Sequence, residues 1–159
     1  MNINENIWEI VVQKLIEQNL TIATMESCTG GGIANEITNV SGASAAFKEG
    51  YVTYCNAAKI KQGVDPKVIE EFSVYSKQTA LQMANAVRNK THCDIAIGVT
   101  GQLGRIDPAN PVNKLNTVWV AFSGKGFARV DKFHVDDMER RKQKEIIIFE
   151  VAKKLLSIL

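Results

Sequence analysis

A serine, a cysteine and a threonine stand together in the string Glu-Ser-Cys-Thr-Gly-Gly-Gly at 26–32, directly after an apolar run. A hydroxyl at such a place could act as a nucleophile, bind a phosphate or cap a helix. The first amides of a helix lack internal partners and carry partial positive charge, so they suit a phosphate or a developing oxyanion. The string matches neither a P-loop nor the spaced Rossmann glycines. Taken alone, it is equally consistent with Thr29 as a helix cap and glycines that allow close helix–sheet packing.

Few residues could serve as the base that a serine nucleophile needs. The chain has two histidines, His92 at the end of a predicted helix and His134 in a predicted hairpin, so a Ser-His-acid triad is not expected. Lys59 directly follows a predicted strand, and burial would lower its pKa enough for it to act as a base. Tyr54 could hold this lysine or relay a proton. On spacing alone, however, a surface lysine is the better interpretation of Lys59.

Two more side chains of the glycine-rich string could take part in chemistry. Glu26 could pair with Lys59 or bind a ribose hydroxyl, although neighbouring residues in a strand point to opposite faces. Cys28 is a rival nucleophile, because helix N-termini stabilise thiolates, but its only available base is the same lysine. No group of His, Cys, Asp and Glu has metal-ligand spacing, so we expect a site without a metal or other cofactor.

The elements predicted around these residues alternate between helix and strand for the first two-thirds of the chain. Predicted helices cover 4–18, 33 to about 38, 56–61, 67–72, 77–89 and 136 or 137 to 159, and predicted strands 20–25, part of 47–55, 94–100, 117–122 and 127–135. This order predicts a three-layer α/β/α fold whose mixed, largely parallel sheet is completed by a C-terminal β-hairpin and a long helix. Because ligands gather at the carboxyl ends of strands, segments 27–31, 55–59 and 100–104 should share one crevice.

The bulk composition is that of an ordinary globular protein, with 159 residues, 45% hydrophobic and 23% charged. This length predicts a single domain over 1–159. The net charge of +2 gives no indication of nucleic-acid binding, and no apolar run is long enough to span a bilayer, so we expect neither a nucleic-acid nor a membrane partner. The polar N-terminus does not resemble a signal peptide. Three cysteines without a Cys-x-x-Cys pair favour reduced thiols in a cytoplasm.

Several strings together resemble the C-terminal domain of CinA (competence/damage-inducible protein), the nicotinamide-nucleotide amidohydrolase family, in its stand-alone form. The most specific are Glu-Ser-Cys-Thr-Gly-Gly at 26–31 and Tyr-x-Asn-x-x-Lys at 54–59. Further matches are the strings at 41–44, 99–101 and 117–119, with Phe47, Val74, Ser76, Phe133, Asp136 and Arg141. The resemblance covers about residues 4–159.

The resemblance implies hydrolysis of the carboxamide of nicotinamide mononucleotide to nicotinate mononucleotide and ammonia. It implies that Ser27 is the nucleophile, Lys59 its general base and Tyr54 an assisting residue, and it makes a homodimer plausible. The residues expected around this small-molecule pyridine nucleotide are Glu26, Thr29, Gly30, Gly31, Ser44, Asn56, Thr100, Gly101, Arg105 and Arg141, the last as a phosphate partner.

The chain departs from the family pattern after Gly101, where the family continues Ile-Ala-Gly-Pro and a glycine-rich run. Segment 102–111 reads Gln-Leu-Gly-Arg-Ile-Asp-Pro-Ala-Asn-Pro, and only Gly104 of the pattern survives. Other departures are Cys55 for a serine, Asn116 for a glycine and Val-Asp-Asp at 135–137 for Gly-Asp-Arg, a lost cation that Arg105 could replace.

Because the altered loop is expected to border the substrate, three hypotheses stay open. The first is a serine/lysine amidohydrolase that acts on pyridine nucleotides. The second is a non-catalytic nucleotide-binding or regulatory module in which loop 102–111 blocks hydrolysis. The third, weaker one is a thiol-dependent enzyme that uses Cys28.

Overall fold

The computed structural model describes residues 7–159 and contains a five-stranded sheet with helices packed on both faces. The elements in chain order are α1 (Ile7–Glu17), β1 (Ile22–Glu26), α2 (Gly32–Thr38), a 3-10 helix (Ala43–Ala45), β2 (Phe47–Val52), α3 (Asn56–Lys61), α4 (Pro66–Phe72), α5 (Lys77–Thr91), β3 (Ile95–Gln102), β4 (Thr117–Gly124), β5 (Phe127–His134) and α6 (Arg140–Leu156). Residues 4–6 of the predicted first helix lie outside the described part of the chain.

The strands lie in the order β2-β1-β3-β4-β5. Strand β1 pairs in parallel with β2 and β3, whereas β3–β4 and β4–β5 are antiparallel. The predicted mixed sheet with a C-terminal hairpin and a long last helix is therefore confirmed. The three parallel strands put their carboxyl ends at one edge of the sheet, which is where the site is built.

Each face of the sheet buries its own apolar cluster, because alternate residues of a strand point to opposite faces. In β3, Ile95, Ile97 and Val99 pack with α1, α2 and α6, whereas Ala96 points to the face that α5 covers. Helix α5 lies directly on β3 at Gly98, where an added Cβ would be 2.3 Å from the carbonyl oxygen of Ala80. The predicted three layers are thus present.

Two of the boundaries that differ from the sequence prediction lie at the site. Strand β3 continues through Gln102 because Gly101 and Gln102 pair with Val118 and Thr117 of β4, so the loop begins two residues later than expected. Helix α6 begins at Arg140, after the expected start at 136 or 137. Within residues 7–159, no helix combines the length and apolarity needed to cross a bilayer.

Candidate active site

The glycine-rich string turns the chain sharply from β1 into α2. The backbone N–H of Ser27 donates to the carbonyl of Val99 at 3.1 Å, which extends the β1–β3 pairing by one residue. Gly30 and Gly31 then adopt φ values of 62° and 90°, a left-handed conformation that glycine adopts without steric cost. Ser27 is thereby held at the carboxyl end of β1, at the start of the turn.

The carboxylate of Glu26 is buried and stabilises the start of α2. Its oxygens accept hydrogen bonds from Thr29 Oγ1 at 2.7 Å and from the backbone amides of Ile33 and Ala34 at 2.9 and 3.0 Å. Negative charge is favourable there because the first helical amides lack internal partners. The structure therefore differs from the expectation that Glu26 pairs with Lys59 or faces a ribose, and it is Glu26 rather than Thr29 that caps the helix.

Ser27 and Lys59 lie in direct contact, although 32 residues separate them in sequence. Lys59 Nζ is 3.0 Å from Ser27 Oγ, and it also donates to the carbonyl oxygen of Thr53 at 2.8 Å. Helix α3 begins one residue after Cys55, and its first turn directs Lys59 back towards the end of β1. Lys59 is only 2% exposed, so the interpretation of this residue as a surface lysine is wrong.

Burial lowers the pKa of Lys59 from 10.5 to about 8, because an ammonium loses hydration inside the protein. The Asp107 carboxylate acts in the opposite direction, because its negative charge favours the ammonium. With this pKa, roughly a tenth of the molecules carry the neutral amine at neutral pH. A neutral amine beside a hydroxyl can accept its proton.

The neighbouring thiol is not set up as a nucleophile. Cys28 is 3% exposed, and burial raises its pKa to about 12, although the positive charges of Arg140 and Lys59 partly oppose this shift. A thiol of that pKa is almost entirely protonated near neutral pH. The expected stabilisation of a Cys28 thiolate at the helix N-terminus is therefore not found.

A cleft of about 620 Å³ opens beside the Ser27–Lys59 pair, a volume within the range of small-molecule sites. Its walls come from the starts of α3 and α6, residues 74 and 75, the end of β3 and the loop that follows β3. Of the predicted site residues, those that line the cleft are Ser27, Tyr54, Asn56, Lys59, Gly101 and Arg105.

Other predicted site residues lie elsewhere. Ser44 is at the opposite edge of the sheet, because it precedes β2 and the first residue of β2, Phe47, pairs with the first residue of β1. Thr100 is fully buried and donates to the carbonyl of Val74 at 2.8 Å. The amide of Gly30 donates to the carbonyl of Ser27 at 2.9 Å, so it is not available to a ligand.

One amide of the turn stays available as a donor to the cleft. Cys28 lines the cleft, and among residues 7–159 no other residue accepts a hydrogen bond from its backbone N–H. This amide directly follows the Ser27 hydroxyl in the chain and is not one of those expected to face an oxyanion. Thr29 is fully buried, and neither Thr29 nor Gly31 lines the cleft.

The arginine in the cleft is Arg140, one residue before the expected Arg141. Its guanidinium donates to Tyr54 Oη at 2.9 Å and to the carbonyl of Leu103. Tyr54 therefore contacts Arg140, whereas we expected it to hold Lys59. The carbonyl of Thr53 orients Lys59 instead. Successive residues of a helix are turned by about 100°, so the point where α6 begins decides which arginine enters the cleft.

Sequence reasoning missed the ordered polar wall in the altered loop. Asp107 accepts hydrogen bonds from the amide of Ala109 at 2.9 Å, from Asn110 Nδ2 at 3.0 Å and from Tyr75 Oη at 3.3 Å. Asn56 Nδ2 in turn donates to Asn110 Oδ1 at 2.8 Å. The Asp-Pro-x-Asn spacing at 107–110 is a turn signature that could have indicated an ordered loop.

These contacts perturb two pKa values in the wall. The hydrogen bonds from Asn110 and from the amide of Ala109 lower the pKa of Asp107. Burial, together with the negative charge of Asp107, raises the pKa of Tyr75 to about 12. Among the residues that the structure describes, no group of three or more His, Cys, Asp and Glu side chains could hold a metal ion.

Comparisons with known proteins place the chain among CinA sequences and structures. A family model described as the CinA C-terminal domain matches residues 4–159. A CinA-like protein of Chlorobaculum tepidum is 37% identical over 148 residues, which are 91% of this chain and 35% of that protein. The chain spans about a third of the length of the curated relatives it matches.

Two crystal structures share the fold over nearly the whole chain. A CinA superfamily protein of Escherichia coli has a TM-score of 0.89 and 27% identity, with 98% of this chain and 90% of that chain covered. The competence/damage inducible protein CihA of Agrobacterium tumefaciens has a TM-score of 0.88 and 27% identity, with 99% and 96% covered.

Proposed function

The chain belongs to the CinA C-terminal domain family, and on this premise we propose that it hydrolyses the carboxamide of nicotinamide mononucleotide. The products are nicotinate mononucleotide and ammonia. The observation that carries the proposal is the 3.0 Å distance between Ser27 Oγ and Lys59 Nζ, two residues that line one cleft. A hydroxyl in contact with a buried amine is the arrangement that activates a serine in the absence of histidine.

In the first half of the reaction, neutral Lys59 accepts the proton of Ser27 Oγ as this oxygen bonds to the carboxamide carbon. The Thr53 carbonyl supports this role, because it engages one N–H of the amine and leaves the lone pair to face the serine. Negative charge develops on the carboxamide oxygen, and the amide of Cys28 is the donor proposed to stabilise it.

In the second half, the tetrahedral intermediate collapses and the C–N bond breaks. The Lys59 ammonium returns its proton to the leaving nitrogen, which departs as ammonia, and an acyl-serine remains. A water molecule, deprotonated by the again neutral Lys59, attacks the ester carbon. Ser27 recovers its proton as the carboxylate product leaves. One water is consumed and one ammonia released, and the proton that the carboxylic acid product loses in water ends on ammonia as ammonium, so atoms and protons balance.

The positive side chains of the cleft suit the phosphate of the nucleotide. Arg105 and Arg140 both line the cleft, and arginine binds phosphate through two parallel hydrogen bonds. Arg140 is already oriented by Tyr54 and by the Leu103 carbonyl, which reduces the conformational freedom it loses on binding. We therefore assign the phosphate to these two arginines rather than to Arg141.

Ammonia release from nicotinamide mononucleotide by the purified protein tests the proposal. Ser27→Ala and Lys59→Met should each lower kcat by at least about a thousandfold, because either change removes the activated nucleophile. The matched controls Ser44→Ala and Lys61→Met change exposed residues outside the cleft and should keep wild-type rates. Saturable nucleotide binding without ammonia from the wild type would instead favour the non-catalytic module, and normal turnover by either site variant would refute the mechanism.

A further inference from the structure

We propose that Asp107 selects substrates whose carboxamide-bearing ring is positively charged, so that the cleft prefers an N-substituted pyridinium to a neutral ring of the same shape. This inference rests on the proposed function and names the property of the substrate that this site recognises. Asp107 lines the same cleft as Ser27 and Lys59, within the loop that departs from the family pattern.

The Asp107 carboxylate is fixed by neutral groups only. Its three partners are a backbone amide, the amide side chain of Asn110 and the hydroxyl of Tyr75. The ion pairs found within residues 7–159 join Asp131 or Glu150 to their cations, so none of them neutralises Asp107. A hydrogen-bonded carboxylate that lacks an ion-pair partner keeps its negative charge available to a ligand.

Charge balance in the cleft points to a cationic group beside this carboxylate. Lys59 must be uncharged to act as the base, and in that state it leaves Asp107 uncompensated. Arg140 is held by Tyr54 and by the Leu103 carbonyl instead of by Asp107. The cleft thus offers both an anion and cations, which suits a ligand with a positive ring and a negative phosphate.

The ring of an N-glycosylated nicotinamide is such a cation, because its quaternary nitrogen carries a positive charge. Reduction to the dihydropyridine removes the charge and keeps the carboxamide, the ribose and the phosphate. The two mononucleotides also differ in carboxamide reactivity, but this intrinsic difference is the same for every variant, so a change in their ratio between variants reports on the ring charge. Preorganised carboxylates contribute most when they need not reorient on binding, and the three hydrogen bonds hold Asp107 in place.

The experiment compares kcat/KM for the oxidised and reduced mononucleotides in the wild type, Asp107→Asn and Asn110→Ala. The ratio of kcat/KM for the oxidised mononucleotide to that for the reduced one should fall about tenfold in Asp107→Asn, which corresponds to about 1.4 kcal/mol of lost charge interaction. The Asn110→Ala variant removes one of the bonds that hold Asp107 but keeps the carboxylate, so its ratio should fall clearly less than that of Asp107→Asn. Circular dichroism of each variant verifies that it is folded.

An unchanged ratio in Asp107→Asn would overturn the inference and leave the proposed function intact, because it would reduce Asp107 to a loop-ordering residue. If the wild type releases no ammonia, the proposed function fails separately, and equilibrium binding of the two mononucleotides replaces kcat/KM. The same tenfold fall in the binding ratio would then support the role of Asp107. The same binding ratio in the wild type and in Asp107→Asn, or no binding of either nucleotide to the wild type, would overturn the proposed role of Asp107.

Discussion

The buried position of Lys59 should make the stability of the protein depend on pH in a way that a single substitution removes. Lys59→Met keeps a side chain of similar length and eliminates the charge. The pKa of Lys59 falls from 10.5 in the unfolded chain to about 8 in the folded protein, so burial of the ammonium costs about 3 kcal/mol at neutral pH.

The sign of the effect follows from proton counting. Between about pH 8 and pH 10.5 the unfolded chain holds the lysine proton more than the folded protein does, so the free energy of unfolding rises with pH. Below about pH 8 both states are protonated and the full penalty applies, and above 10.5 neither is charged. The wild type should therefore gain about 2 to 3 kcal/mol relative to Lys59→Met between about pH 7 and about pH 10.

Urea denaturation followed by circular dichroism at about pH 7, 8.5 and 10 measures this difference. Subtraction of the variant from the wild type cancels groups that titrate alike in both proteins, such as the exposed lysines. Lys61→Met on the exposed side of the same helix should show no pH-dependent difference. A difference between wild type and Lys59→Met that stays constant over this range would refute a lowered pKa, and with it the role of Lys59 as a base.

Four further outcomes follow from the same contacts. The kcat/KM for ammonia release should rise about tenfold per pH unit below about pH 8 and then level off, because the neutral amine is the base; a flat profile contradicts this. Glu26→Gln should lower the free energy of unfolding by about 1 to 3 kcal/mol in urea titrations, because Glu26 caps α2. The exposed control Glu71→Gln should lower it by less than about 0.5 kcal/mol, and equal losses in the two variants would contradict the capping role of Glu26. Gly98→Ala should cost at least about 2 kcal/mol and lower the melting temperature, because the added Cβ meets the α5 backbone. Arg140→Gln should raise KM for the mononucleotide about tenfold, whereas an equal rise in Arg141→Gln would contradict the choice between them.

The alternation of helices and strands could be predicted because each element carries its own apolar periodicity. The run Ile-Ala-Ile-Gly-Val at 95–99 has the near-continuous apolar character of a strand covered on both faces, and β3 is buried throughout. The candidate site could be predicted in part for a similar reason, since the short strings around Ser27 and Lys59 are local. Element ends were less predictable, because β3 extends only where β4 is present to pair with it.

Tertiary structure alone decided which polar side chains meet. Ser27 and Lys59 are in contact because β1 and β2 are parallel neighbours, so the segments that follow these two strands begin at the same edge of the sheet. Ser44 precedes β2 and therefore lies at the opposite edge. The choice of Arg140 over Arg141 depends on where α6 begins.

The lowered pKa of Lys59 likewise has no local cause. It arises because residues distant in sequence exclude water from the amine, and desolvation depends on everything packed around a group. Sequence by itself thus determined the elements and named the serine and the lysine of the proposed reaction. The fold determined that these two side chains are in contact, that the pKa of Lys59 is lowered, and that Asp107 lines the same cleft. Hydrogen bonds and desolvation require groups that only folding brings together.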